Sequence, residues 1–179
     1  MKYMVGSCLS IAVPILHLVA VWRLTDWKKW RKYYPTMLFV IVVDFFSTIV
    51  TYRYSLWYFH ARLFIPNHTT TDFMIALVVL PSIVLIYLSR YPYESRLLVQ
   101  AGYMALWVVV ESLSEWFFFL TDMITYHHGW NYAWSVLLWM IMFALLRLHD
   151  HRPWLAFLVC AGLAVFAMGH FDIPVTDAK

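Results

Sequence analysis

Apolar residues run along this chain in six long blocks separated by short polar stretches. The blocks cover residues 3–22, 36–58, 72–90, 97–122, 131–148 and 153–170. Each holds about the 20 residues that a helix needs to cross a bilayer. Pro14 and Pro81 fall inside two of them, and interior proline is tolerated in membrane helices, with a kink as the usual consequence. Bulky basic residues follow the first block where a signal peptide would carry a small-residue cleavage site, so it reads as a span. The pattern predicts an all-α integral membrane helical bundle: six transmembrane helices forming one transmembrane domain over residues 1–179.

The polar stretches set the expected orientation. Residues 23–35, 90–96 and 147–152 hold nine of the thirteen Lys and Arg. The positive-inside rule assigns these loops to the cytoplasm and both termini to the outside. In the first of them Trp27, Trp30, Tyr33 and Tyr34 interleave with five basic residues, as suits a segment lying on anionic headgroups. Membrane lipid is therefore the expected partner of the basic residues, and nucleic acid is not. On the opposite side, Thr71 before Asp72 suits the cap of the third helix.

Composition strengthens the membrane reading. The chain is 63% hydrophobic and 13% charged, against about 45–50% and about 25% in soluble domains. Ten Trp and twelve Tyr fit aromatic belts at the two interfaces. With five Gly there is no glycine-rich phosphate loop. The two cysteines, Cys8 and Cys160, sit in apolar blocks and read as small packing residues.

Candidate chemistry is concentrated where ionisable residues interrupt the apolar blocks, since such residues are costly in hydrocarbon. Glu111 and Glu115 lie about 40° apart around a helix, and Asp122 about 20° from Glu111. One face of the fourth helix would thus carry three carboxylates. Such a stripe must turn toward the bundle interior, and two carboxylates at this spacing repel when both are ionised. A proton relay, a cation site or an acid–base pair would use that property.

In the second block Asp44 lies roughly 12 Å and Arg53 roughly 25 Å from the cytoplasmic end. Glu111 and Glu115 lie roughly 21 and 27 Å from theirs. Arg53 is therefore expected to pair with one of them. An outward-opening pocket lined by Arg53, Glu111, Glu115, Asp122, His127 and His60 is the main structural expectation, with Asp44 as a polar step toward the inside. His17, alone within the first block, is expected to bond a neighbouring helix. A divalent metal is one candidate occupant, with Glu111, Glu115 and His127 as ligands. His149-Asp150-His151 is a weaker metal patch. No HExxH or CxxC motif supports either site.

Glu111 and Glu115 in an aromatic segment, then Thr121-Asp122-Met123-Ile124-Thr125-Tyr126, then Trp130, Tyr132 and Trp134 resemble a known sequence family. It is an uncharacterised family of small multi-pass membrane proteins from spore-forming Gram-positive bacteria, known only by a locus-derived name. Thr71-Asp72-Phe73 through Leu80-Pro81, and then Tyr91-Pro92, resemble the preceding helix of that family and its exit. The likeness covers roughly residues 36–152. It implies a bacterial plasma-membrane protein in which Glu111, Glu115, Asp122 and Tyr126 act as one unit. Asp72 stands where the family carries other polar residues, so no role is implied for it, and the family supplies no activity or cofactor.

Three function classes fit these observations. The first is binding or movement of a proton, a cation or a small polar solute, with Glu111 and Glu115 as the titrating pair. The second is a structural or accessory subunit whose acids dock a partner membrane protein or a second copy. The third is an intramembrane enzyme acting on a lipid or peptide, with Glu111 or Glu115 as general base and His127 or His60 as its partner.

Overall fold

The computed structural model describes residues 2–60 and 67–174. Arg62, Pro66 and Lys179 lie outside the described residues. Among the described residues, six helical rods are long and apolar enough to cross a membrane. They are α1 (Lys2–Leu24), α2 (Trp30–Val50), a compound third rod, α5 (Leu97–Leu120), α6 (Tyr132–His151) and α7 (Pro153–His170). The third rod runs from α3 (His68–Met74) through a π-helical turn (Ile75–Val79) into α4 (Leu80–Ser89).

The π turn has a local cause. Pro81 lacks an amide hydrogen, and its ring would crowd the carbonyl of Leu77 in a regular helix. Widening the preceding turn relieves that crowding. The Ser82 hydroxyl then donates to the Val78 carbonyl at 2.6 Å. Hydroxyls of this kind help satisfy backbone groups beside a proline in a membrane helix. Where the sequence suggests a kink, the chain instead widens by one π turn.

This third rod is the centre of the bundle. Every residue from Leu80 to Leu88 is buried, and α4 packs against α1, α2 and α6. α5 and α7 both flank α6. A helix that is apolar all round belongs in such a position. Tyr87 anchors an aromatic cluster, with Phe143 of α6 at 4.9 Å between ring centroids and Tyr103 of α5 at 5.5 Å. Lipid tails are as apolar as the side chains, so packing rather than water exclusion holds such contacts together.

Two helix boundaries differ from the apolar blocks. α2 begins at Trp30, after a 3₁₀ turn at Trp27–Lys29. The Asp26 carboxylate caps that turn by accepting from the Lys28 amide at 3.2 Å. A hydrogen bond with the Lys29 side chain also holds the Asp26 carboxyl below the usual carboxylate range. Residues 30–35 of the basic loop, with Arg31 and Lys32, are therefore the first turns of α2. At its other end α2 stops at Val50, eight residues short of the block's end at 58. The third rod starts early, at His68, because the Asn67 side chain accepts from the Thr70 amide at 2.8 Å; Asn67, not Thr71, is the cap.

The residues beyond α2 and α5 form a short antiparallel ribbon, β1 (Trp57–Phe59) with β2 (Ile124–Tyr126). Trp57 pairs with Tyr126, Tyr58 with Thr125 and Phe59 with Ile124. Two further backbone bonds extend it, His60 to the Met123 carbonyl at 2.9 Å and His127 to the Leu56 carbonyl at 2.8 Å. Aromatic and β-branched residues favour this pleated arrangement. Asp122 and His128 take positive φ values of 56° and 54°, and Gly129 one of 81°. The turns that enter and leave β2 need those left-handed residues.

The opposite end of the bundle gathers the basic loops. Arg90 donates from Nε to the Leu24 carbonyl at 2.6 Å. Tyr93 donates to Asp150 at 2.8 Å, and Arg147 lies 4.8 Å from the Tyr93 ring centre. Burial and the bond to Asp150 push the Tyr93 phenol up. His149 is buried, shares a 2.9 Å hydrogen bond with Thr36 and stacks on Phe39 at 4.2 Å. His149 and Asp150 thus serve as packing and tethering groups.

Candidate functional site

α1, α2, the third rod, α5 and α6 line a partly open cavity of about 270 Å³ beneath the ribbon. Its walls are mostly aliphatic and aromatic, and five ionisable side chains reach it: His17, Asp44, Asp72, Glu111 and Glu115. Among the described residues that line it there is no Lys or Arg. Trp57, Phe59 and Ile124 of the ribbon form part of its lining. The ribbon therefore covers the end of the cavity nearest the termini of α2 and α5.

The acids have different surroundings. Glu111 is only 4% exposed. Its carboxylate faces His17 of α1, with Nε2 to Oε1 at 3.8 Å, which is longer than a hydrogen bond. His17 uses its other ring nitrogen on the Val13 carbonyl at 2.8 Å, one turn back on its own helix. Glu115, one turn along α5, accepts two hydrogen bonds: from the Tyr126 hydroxyl at 2.7 Å and from Trp139 Nε1 at 2.8 Å. Those donors come from the ribbon and from α6, so Glu115 ties both to α5. Burial first, and then the Glu115 carboxylate, push the Tyr126 phenol up. Tyr126 consequently keeps its proton and remains a donor through the neutral range.

Asp44 and Asp72 form the other acidic wall. They come from α2 and α3 and interact electrostatically. Asp72 is 8% exposed, and its Oδ2 lies 3.3 Å from Nε2 of His68, one turn earlier. The His68 Nδ1 accepts from the Phe59 amide at 3.2 Å. A chain of contacts therefore runs from β1 through His68 to the Asp72 wall, as the Tyr126–Glu115 bond does from β2.

Of the residues singled out from sequence, Asp44, Glu111 and Glu115 meet at the cavity, and Tyr126 reaches it through Glu115. Four others lie elsewhere. Arg53 is exposed in the turn beyond the end of α2 and is not part of the lining, because the helix that would have carried it to the height of Glu111 stops at Val50. Asp122 is exposed beyond the last residue of α5, Leu120; its left-handed backbone breaks the helical period that would have aligned it with Glu111. His60 and His127 both place Nε2 3.1 Å from Thr125 Oγ1. They form a His–Thr–His row on the ribbon, outside the lining. Among the described residues no three His, Cys, Asp or Glu side chains converge as metal ligands, so the set Glu111, Glu115 and His127 is not assembled.

The sequence reading passed over Asp72 and His68 and gave His17 only a hydrogen-bonding role. His17 sits within an apolar block and Asp72 at the edge of one, so the rule that flags intramembrane ionisable residues applies to them as it does to Asp44; His68 lies in the polar stretch before the third block, where that rule does not reach. No family model, no curated protein and no solved structure matches this chain.

Proposed function

We propose that the protein resides in a plasma membrane, with both termini outside, and that its acidic cavity binds or conducts a proton or a cation. One observation carries this reading: four carboxylates from three helical rods line one partly open cavity, and no Lys or Arg lines it among the described residues. Buried ionised carboxylates are costly unless they are paired. Glu115 has two hydrogen-bond donors, and Glu111 and Asp72 each face a histidine; a bound proton or cation offsets the charge that remains. The gathering of basic loops at the end opposite the ribbon supports the orientation, with those loops in the cytoplasm and the ribbon outside.

In this reading Glu111 is the principal ligand, because its carboxylate is buried at the cavity wall and His17 stands 3.8 Å away. Asp44 and Asp72 supply charge from the facing wall. Glu115 has two neutral donors and holds the ribbon in place. The resemblance to the bacterial membrane family is consistent with grouping Glu111, Glu115 and Tyr126.

Infrared difference spectroscopy of the carboxyl bands tests the proposal, recorded on the purified protein with and without Na⁺, Mn²⁺ or an ammonium ion. Carboxyl bands that shift when a cation is added, and that disappear in Glu111→Gln, support it. Bands indifferent to every cation leave the acids as structural groups, and an accessory role then takes precedence.

A further inference from the structure

We propose that the ligand is an organic ammonium ion, held by Glu111 and the Asp44–Asp72 wall with its apolar body against Trp57, Phe118 and Trp139. This rests on the reading of the cavity as a cation site and names the chemical class that it takes.

Size is the first argument. Ligand pockets commonly measure about 300–1,000 Å³, and this cavity of about 270 Å³ stands just below that range. It is far larger than a single dehydrated metal ion requires. Donor geometry is the second. A metal ion needs several oxygens within about 2.0–2.6 Å of one point, and among the described residues no three ligand-type side chains converge. The carboxylates instead occupy separate walls, which suits a charge spread over a larger body.

The nature of the walls is the third argument. Apart from the ionisable groups and a few hydroxyls, the lining is aliphatic and aromatic. A small inorganic ion would lose its water shell there without enough oxygens to replace it. An alkylated ammonium has weakly hydrated carbon surface that such walls match. Its charge is also attracted to the face of an indole within about 6 Å. Trp139 is suited to that role, because its Nε1–H is fixed on Glu115 and its ring is thereby held in one position. Glu111 is buried at the cavity wall, 4% exposed, and faces His17 at 3.8 Å, an ionic contact that a cation in the cavity would supplement.

The test uses full-length protein in detergent, titrated calorimetrically with choline and benzyltrimethylammonium. The comparison ligands are 3,3-dimethyl-1-butanol (the uncharged isostere of choline), Na⁺ and Mn²⁺. The expected result is saturable binding of the ammonium ions, at least tenfold tighter than the alcohol. Glu111→Gln should weaken that binding at least tenfold, and Trp57→Leu severalfold. The loop variant Glu94→Gln, at an exposed position, should leave it unchanged. Glu111→Asp, which keeps the charge, separates loss of the ligand from loss of the fold by retaining part of the affinity. Equal binding of choline and the alcohol, or affinity indifferent to Glu111→Gln, overturns the inference. Carboxyl bands that respond to Na⁺ or Mn²⁺ but not to ammonium ions overturn it while leaving the cation-site reading in place. Bands that respond to no cation overturn both.

Discussion

Tyr126→Phe removes one hydroxyl and should loosen the ribbon without disturbing the bundle. The hydroxyl donates to Glu115 at 2.7 Å, and the ring stacks on Phe119 at 5.6 Å with a 12° interplanar angle. Phenylalanine keeps the stacked ring and deletes only the donor. Hydrogen bonds to charged groups contribute about 1.5–3 kcal/mol. Tyr126 is only half-buried and Glu115 retains Trp139, so the loss falls around the bottom of that range, about 1–2 kcal/mol. That corresponds to roughly a five- to thirtyfold rise in the population with the ribbon open, at about 1.4 kcal/mol per tenfold. Amide hydrogen exchange with mass spectrometry reads this directly. Peptides containing Tyr58, His60, Thr125 and His127, whose amides face the opposite strand, should exchange five- to thirtyfold faster, while peptides from α4 should exchange at the wild-type rate. Ribbon exchange within threefold of wild type would refute the claim that Glu115 holds the ribbon. Equal acceleration throughout the chain would show that the bond supports the whole fold instead.

Thr36→Val should lower thermal stability by about 1–2 kcal/mol, because it strands the buried His149 ring without its partner; unfolding followed by circular dichroism checks this. Phe143→Ala removes roughly 100 Å³ from the Tyr87 cluster, and at about 24 cal/mol per Å³ of cavity that costs about 2 kcal/mol. Burial of Tyr93 and Tyr126 raises both phenols above their ordinary value. The folded state therefore holds those protons more tightly than the unfolded state. Their contribution is complete below the ordinary tyrosine pKa of about 10 and is lost as pH climbs beyond it. Melting temperature should fall above about pH 10, and the fall should be shallower in Tyr93→Phe. Equal slopes in the two proteins would contradict that attribution.

The helices were legible because crossing a bilayer imposes one strong constraint, length with low polarity, on every span. All six rods lie within or close to the apolar blocks. The errors fall at the ends, where that constraint weakens. Residues 51–59 are aromatic enough to resemble the outer turns of a span, yet the helix ends at Val50 and the following residues pair with β2. A ribbon of three residues per strand is too short to leave a periodic pattern, and its partner lies far along the chain. Helical geometry correctly placed Glu111 and Glu115 together because the helix continues through both. It failed for Asp122 because the helix had already ended. The facing wall was hidden for a different reason. Nothing in the local sequence tells His17 or Asp72 which helix they will meet; the central position of the third rod decides that.

Carbodiimide labelling tests most directly whether the acids share one cavity. Dicyclohexylcarbodiimide is apolar and attacks protonated carboxyl groups in apolar surroundings, and digestion with mass spectrometry locates the adducts. Adducts are expected on Glu111, Asp44 or Asp72, one per chain, because the first adduct fills the cavity and shields the remaining acids. Added cation should slow the reaction. Several adducts per chain on these acids, or labelling confined to the exposed Asp122 and Glu94, would contradict the shared cavity.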